Sequence, residues 1–183
     1  MGYRRLYRKI YAKIVSRRNP LKYAKKIGVN IAPGAKVVIY GQPQWGTEPW
    51  LITIGDNVYI TAGAKFVTHD GGTLIFRDRI PDLEVTKPII IGNNVYLGNN
   101  VTVLPGVTIG DNVVVGTGAI VTKDIPSNSV AAGIPARVIK PIEEYFEKLK
   151  IESLHLGHLK GEEKDRALMK HFGYNGRSKG IYF

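Results

Sequence analysis

A parallel β-helix is the fold class this 183-residue sequence predicts, and three observations predict it. Ile91, Leu97, Val103, Ile109, Val115 and Val121 recur at a strict spacing of six. Four residues after each come Val95, Val101, Val107, Val113, Ala119 and Ile125, so that all twelve positions are apolar. The residues that follow the first column are Gly92, Gly98, Leu104, Gly110, Gly116 and Thr122, amid Asn and Asp, types that tolerate tight corners and the left-handed backbone region. A period of six with two inward side chains describes a short flat strand and a corner. Three such sides close a triangular coil, and each strand pairs with the one in the next coil. Twelve buried aliphatics at roughly 1.5–3 kcal/mol each would hold the register firmly. A β-sandwich would alternate with period two and turn every 8–12 residues or so, which gives no six-residue comb.

The chain opens with a basic arm, residues 1–26. Tyr3, Leu6, Tyr7, Ile10, Tyr11, Ile14 and Val15 follow a 3, 4 spacing, which predicts a helix with one apolar and one basic face. The net charge of +11 is concentrated here. The arm holds ten basic residues and no acid, against 16 basic and 15 acidic in residues 27–183. A whole-chain charge of this size would suggest nucleic acid, but confined to an arm it describes a helix beside a nearly neutral body, and no nucleic-acid reading motif accompanies it. Such a helix can lie on an anionic membrane surface or pack on its own protein with a solvated basic face. Arg8, Lys9 and Lys13 interrupt any secretory apolar stretch, and no apolar run approaches the roughly 20 residues a spanning helix needs. Asn19-Pro20 is expected to end the first helix.

The repeat region spans residues 27–140. A loose coil begins at Ile27-Gly28-Val29-Asn30-Ile31, and the pattern is clearer at Ile54-Gly55-Asp56-Asn57-Val58, then Ile60, Ala64 and Phe66. Between them, Gly41 to Trp50 is an irregular Gly/Pro-rich stretch. Trp45 in that stretch reads either as a platform for the apolar face of a sugar ring or as a hydrophobic anchor. Within the strong comb there is one break. After Phe66-Val67-Thr68-His69-Asp70 the register resumes only near Ile89, which leaves a 19-residue insertion, 70–88, expected to project as a loop. Long insertions in a compact repeat are usually functional. His69 stands at its base and is the only histidine in the repeat region. Neutral imidazole suits proton abstraction near neutral pH. Asp70 is adjacent, but neighbours on an extended strand point to opposite sides, so Asp78, Asp82, Glu84 or a backbone carbonyl are the other candidates to orient the ring.

After Pro141 a helical period returns in Ile142, Tyr145, Phe146 and Leu149, with a second stretch through Ala167, Leu168 and Phe172 that Gly173 is placed to stop. His155 and His158, three apart in this charged helical segment, make a weak zinc signal without a third ligand, and no metal is expected. The absence of cysteine excludes disulfides and thiol catalysis. Residues 174–183 read as a tail, so the organisation is 1–26, 27–140 and 141–183.

The stretches Ile-Gly-Asn-Asn-Val-Tyr-Leu-Gly (91–98), Val-Thr-Lys-Asp-Ile-Pro (121–126) and Ala-Ala-Gly-Ile-Pro-Ala-Arg-Val-Ile-Lys (131–140) resemble those of the hexapeptide-repeat acetyltransferases. The nearest branch looks like the sugar O-acetyltransferases that act on galactosides, maltose and capsular polysaccharide. The resemblance covers roughly residues 50–142, the first coils loosely and neither terminal segment. It implies a left-handed hand for the helix, whereas the crossover rule alone would favour the right. It also implies acetyl-CoA as donor, a saccharide acceptor, and a cytoplasmic homotrimer whose active sites lie between subunits. On this footing His69 is the general base, and a backbone amide at the position matching Asn99 holds the oxyanion. Tyr96 flanks the site, while Gly116, Thr117, Thr122 and Lys123 run along the cofactor, with Arg137 and Lys140 near its phosphates. Asp70 and Trp45 are the candidate acceptor contacts. The early coils depart from the galactoside branch, so the resemblance does not specify the acceptor. N-acetylation of an amino-sugar or antibiotic stays open, as does a non-enzymatic scaffold. The β-helical carbonic anhydrases need three coil histidines and are rejected. A nucleotidyltransferase would need a further α/β domain.

Overall fold

A computed structural model describes residues 16–174, so most of the basic arm's helical pattern and most of the tail lie outside the described residues. The chain divides into two compact units, Met1–Glu143 and Glu144–Phe183.

In the first unit a short helix, α1 (Pro20–Ile27), precedes the coils. Asn19 caps it by accepting the Lys22 N–H at 2.8 Å, and Gly28 stops it in the left-handed region. Asn19-Pro20 is thus a break between helical segments, and Ile27 and Gly28 end a helix where a loose first coil was expected. The coil begins instead at Val29, which is buried.

The strands that follow are two to six residues long: β1 (Asn30–Ile31), β2 (Val37–Ile39), β3 (Ile52–Ile54), β4 (Val58–Ile60), β5 (Lys65–Phe66), β6 (Ile89–Ile91), β7 (Val95–Leu97), β8 (Thr102–Val103), β9 (Thr108–Ile109), β10 (Val113–Val115), β11 (Ile120–Val121), β12 (Ser129–Gly133) and β13 (Ala136–Pro141). They form three sheets ordered β1-β3-β6-β9, β2-β4-β7-β10-β12-β13 and β5-β8-β11. Every pairing is parallel except β12 with β13. The registers stack the inward aliphatics: Ile54 on Ile91 on Ile109, Ile60 on Leu97 on Val115, and Phe66 on Val103 on Val121. All twelve comb residues are at most 4% exposed. The parallel β-helix inferred from the comb is therefore present.

Two side-chain ladders hold the corner between the first and second sheets. Asn57, Asn94 and Asn112 each donate through Nδ2 to the Oδ1 of the next asparagine, ending at Asn128, over 2.8–2.9 Å. All four have φ of 53–60°, the region in which Asn is among the better tolerated residues. Beside them Asp56 accepts the Lys36 N–H, Asn93 accepts that of Asp56, and Asp111 that of Asn93. The backbone N–H groups of Lys36 and, next, Asn57 hold the Asp56 carboxyl below its ordinary range.

The last coil is closed by the antiparallel β12–β13 hairpin, which the six-residue period does not foreshadow. After the coils α2 (Ile142–Glu152), whose first two residues belong to the first unit, and α3 (Gly161–His171) carry the expected helical periods, with Gly173 at φ 66° after the second. His155 and His158 fall in the connection between them, not in a helix as the sequence suggested. Among the described residues no group of three His, Cys, Asp or Glu is placed to hold a metal, and no helix is long and apolar enough to cross a membrane.

Candidate active site

Residues 44–48, inside the irregular Gly41–Trp50 stretch, form the third side of the first coil. Gln44 pairs with Lys65 in parallel; its N–H donates to Ala64 O at 2.9 Å and its carbonyl accepts from Phe66 at 2.8 Å. The stretch therefore lies one coil before residues 65–69 at a constant offset of 21. Trp45 takes the inward position below Phe66, the rings stacked at 4.9 Å and 4°. It is 5% exposed. The sugar-platform reading is corrected on that geometry: one face is spent on Phe66 and the residue is the hydrophobic anchor.

The same offset sets Thr47 beside Thr68 and Glu48 beside His69. Gly46 makes the approach possible. It sits at φ 67°, and a Cβ there would meet Phe66 O and Thr68 Oγ1 at 2.9 Å. Glu48 Oε2 stands 3.0 Å from His69 Nδ1 and accepts the buried Thr68 hydroxyl at 2.6 Å. The Thr47 hydroxyl donates to Oε1 at 2.6 Å and lies 3.2 Å from His69 Nδ1. These hydroxyls, that of Thr47 first, and the neighbouring imidazole hold the Glu48 carboxyl at about 2, against the opposing effect of burial. Glu48 is thus an anion at neutral pH. An anionic acceptor at Nδ1 fixes the proton there and leaves Nε2 with the lone pair, which has no partner among the described residues. His69 is 38% exposed, enough for a substrate to reach it.

The insertion is pinched at its foot. His69 bridges Thr86 in antiparallel fashion, Asp70 N–H donates to Val85 O, and Lys87 N–H to Thr68 O, both at 2.8 Å. A 3-10 turn, Gly71–Phe76, starts at Asp70, whose side chain accepts the Gly72 N–H at 2.8 Å. Asp70 therefore caps its own turn and does not orient the imidazole. Glu84 binds Arg77 at 3.2 Å and the Thr86 hydroxyl at 2.5 Å, and so is not the orienting group either. A cleft of about 280 Å³ opens between coil and loop. Thr47, Glu48 and His69 line one side, and Asp70, Gly71, Thr73, Leu74, Arg77 and Glu84 the other.

The remaining candidates lie outside this cleft. Asn99 and Gly118 share a corner between the second and third sheets, where Gly118 N–H donates to Asn99 O at 2.7 Å. Gly116 and Thr117 belong to the same corner, stacked so tightly that a Cβ on Gly98 would strike both. Among the described residues the Asn99 N–H has no acceptor. Tyr96, 43% exposed, projects from β7 in register with Tyr59 and Val114. Thr122 and Lys123 follow β11 at the next corner and are exposed; β13, which carries exposed Arg137 and half-buried Lys140, lies against β11. None of these lines the His69 cleft. The third sheet separates the Asn99 corner from the corner that bears His69. Glu48, Thr47, Thr68 and Arg77 are the site residues that sequence reasoning missed.

Residues 88–123 match the family model for bacterial transferase hexapeptide (six repeats). The chain is 42% identical over 168 residues to Protein CapG of Staphylococcus aureus, covering 92% of this chain and 98% of that one. It is 46% identical over 111 residues to the galactoside O-acetyltransferase of Escherichia coli (strain K12), covering 58% of this chain and 54% of that one, and so spans about half of that relative. Among solved structures, a maltose O-acetyltransferase from Clostridium difficile 630 superposes with a TM-score of 0.55 at 27% identity, covering 75% of this chain and 85% of that one. The chain belongs to the hexapeptide-repeat acetyltransferase family.

Proposed function

We propose that this protein transfers the acetyl group of acetyl-CoA to a hydroxyl of a saccharide, such as a precursor of a cell-surface polysaccharide, with His69 as general base. The observation that carries the reading is the Glu48–His69 pair at the foot of the inserted loop. A carboxylate that stays ionised keeps the proton on Nδ1 and directs the basic Nε2 to the incoming hydroxyl. As the hydroxyl oxygen attacks the thioester carbonyl, its proton passes to Nε2. When the tetrahedral intermediate collapses, the carbon–sulfur bond breaks and the imidazolium returns that proton to the CoA thiolate. The free Asn99 N–H suits the oxyanion. Tyr96, Gly116, Thr117, Thr122, Lys123, Arg137 and Lys140 supply the cofactor strip, the last two with Lys123 offering cations to its phosphates.

Because the third sheet stands between His69 and the corner that carries Asn99, Gly116 and Thr117, the site is completed by a neighbouring subunit in a homotrimer. A monomer in sedimentation velocity at assay concentrations would remove the shared site.

The test is thiol release from acetyl-CoA across a panel of free sugars, glycosides, amino sugars and aminoglycosides, with the product's acetyl bond typed by alkaline lability. Release with hydroxyl acceptors and an alkali-labile ester is expected. An alkali-stable amide formed only with amino acceptors would replace O-transfer by N-transfer, and no release with any acceptor would favour a scaffold.

A further inference from the structure

Resting on the acetyl-transfer reading, we propose that the loop reads the acceptor through Asp70 and Arg77, and that this pair selects a neutral polyhydroxylated ring over an anionic one. The cleft that holds His69 is lined by three carboxylates, Glu48, Asp70 and Glu84, and by one guanidinium, Arg77. Arg77 is already matched: its Nη2 donates to Glu84 Oε2 at 3.2 Å and its Nε to Leu83 O at 3.4 Å. Glu84 in turn is held by the Thr86 hydroxyl on Oε1. This fixes the guanidinium while leaving its Nη1 hydrogens for a ligand. Asp70 spends Oδ1 on the Gly72 N–H and keeps Oδ2 as an acceptor.

A hydroxyl both donates and accepts, so neighbouring hydroxyls of a sugar satisfy Asp70 and Arg77 together. A phosphate or carboxylate accepts only. It would find its one cation neutralised by Glu84 and face the charges of Asp70 and Glu48, a juxtaposition that excludes wrong partners. Leu74, 62% exposed on the same loop, gives the wall an apolar element for the C–H face of a ring. Asp70 and Arg77 are thus specificity-determining residues on a loop whose foot positions the base.

The experiment compares acetyl-CoA thiol release for a neutral hexoside, the matching hexuronate and the hexose 6-phosphate. In the wild-type protein kcat/KM for the neutral hexoside should exceed that for either anion by about tenfold or more. Glu84→Gln, which unmasks the Arg77 charge, should narrow that gap at least severalfold. Arg77→Gln should act on the neutral hexoside mainly by raising KM, with the smaller part of the loss in kcat. An anionic acceptor equal to or better than the neutral one, or a gap unmoved by Glu84→Gln in a variant that melts like wild type, overturns this selectivity while leaving acetyl transfer standing. Silence with all three acceptors overturns acetyl transfer and the selectivity together.

Discussion

Glu48 shows how much a single side chain can decide. Its carboxylate has four neighbours competing for two oxygens: two threonine hydroxyls, an imidazole and solvent. The hydroxyls keep it charged, and the charge selects the histidine tautomer. Glu48→Gln keeps the shape but offers Nδ1 either a donor or a neutral acceptor. It should lower kcat by about 10²-fold or more while the protein melts close to wild type. The same carboxyl links folding to acid. Its folded value, about 2, lies below its ordinary 4.5, so the unfolded chain takes up a proton first as pH falls. The stability it contributes is therefore complete above pH 4.5 and is lost between 4.5 and 2. Urea melts across that window should show a shallower acid slope in Glu48→Gln. An identical slope would mean the pairing does not hold in solution.

Among elements, the coil corner carries the load that turns carry in other sheets. Asn94 bonds Asn57 on one side and Asn112 on the other at φ 54°. Asn94→Val removes two hydrogen bonds and forces a β-branched residue into the left-handed region, which should cost about 2–4 kcal/mol of unfolding free energy. Asn94→Gly, which relieves the backbone but not the bonds, should fall between the two. Equal stability of the valine and glycine variants would show that the backbone angle is not what the ladder protects.

The coils also explain what was legible in the sequence. Ile91 to Ile125 could be read because every hexad there repeats the same inward pair. The 70–88 insertion could be read because it interrupts that repeat. Gln44 to Glu48 could not, since this side of the first coil puts Trp45 where later coils put Phe66, Val103 and Val121, and no aliphatic–Gly pair marks it. Aligning Gln44-Trp45 on Lys65-Phe66 was the one signal that would have brought Glu48 to His69. The β12–β13 hairpin is not legible because Ser129 and Ala131 continue the inward register of Val113 and Val115 into a strand that then reverses.

At the scale of the whole molecule, charge and chemistry are separated along the chain. The described end of the arm carries Arg17, Arg18, Lys22, Lys25 and Lys26 with no acid before Glu48. If residues 1–26 bring the enzyme to an anionic bilayer, the full chain should co-sediment with vesicles containing phosphatidylglycerol, and a chain starting at Ile27 should remain in the supernatant. Equal partitioning would leave the arm packed on its own protein.

The coil stack itself is a rigid frame that fixes one histidine beside one carboxylate and lets a loop rise over them. The claim that this histidine performs the proton transfer is tested most directly by acceptor-dependent thiol release from acetyl-CoA in His69→Ala, with assembly and melting measured on the same sample. A loss of about 10²–10⁴-fold in kcat, with assembly and melting temperature retained, is the expected result. Turnover close to wild type in that variant would contradict it.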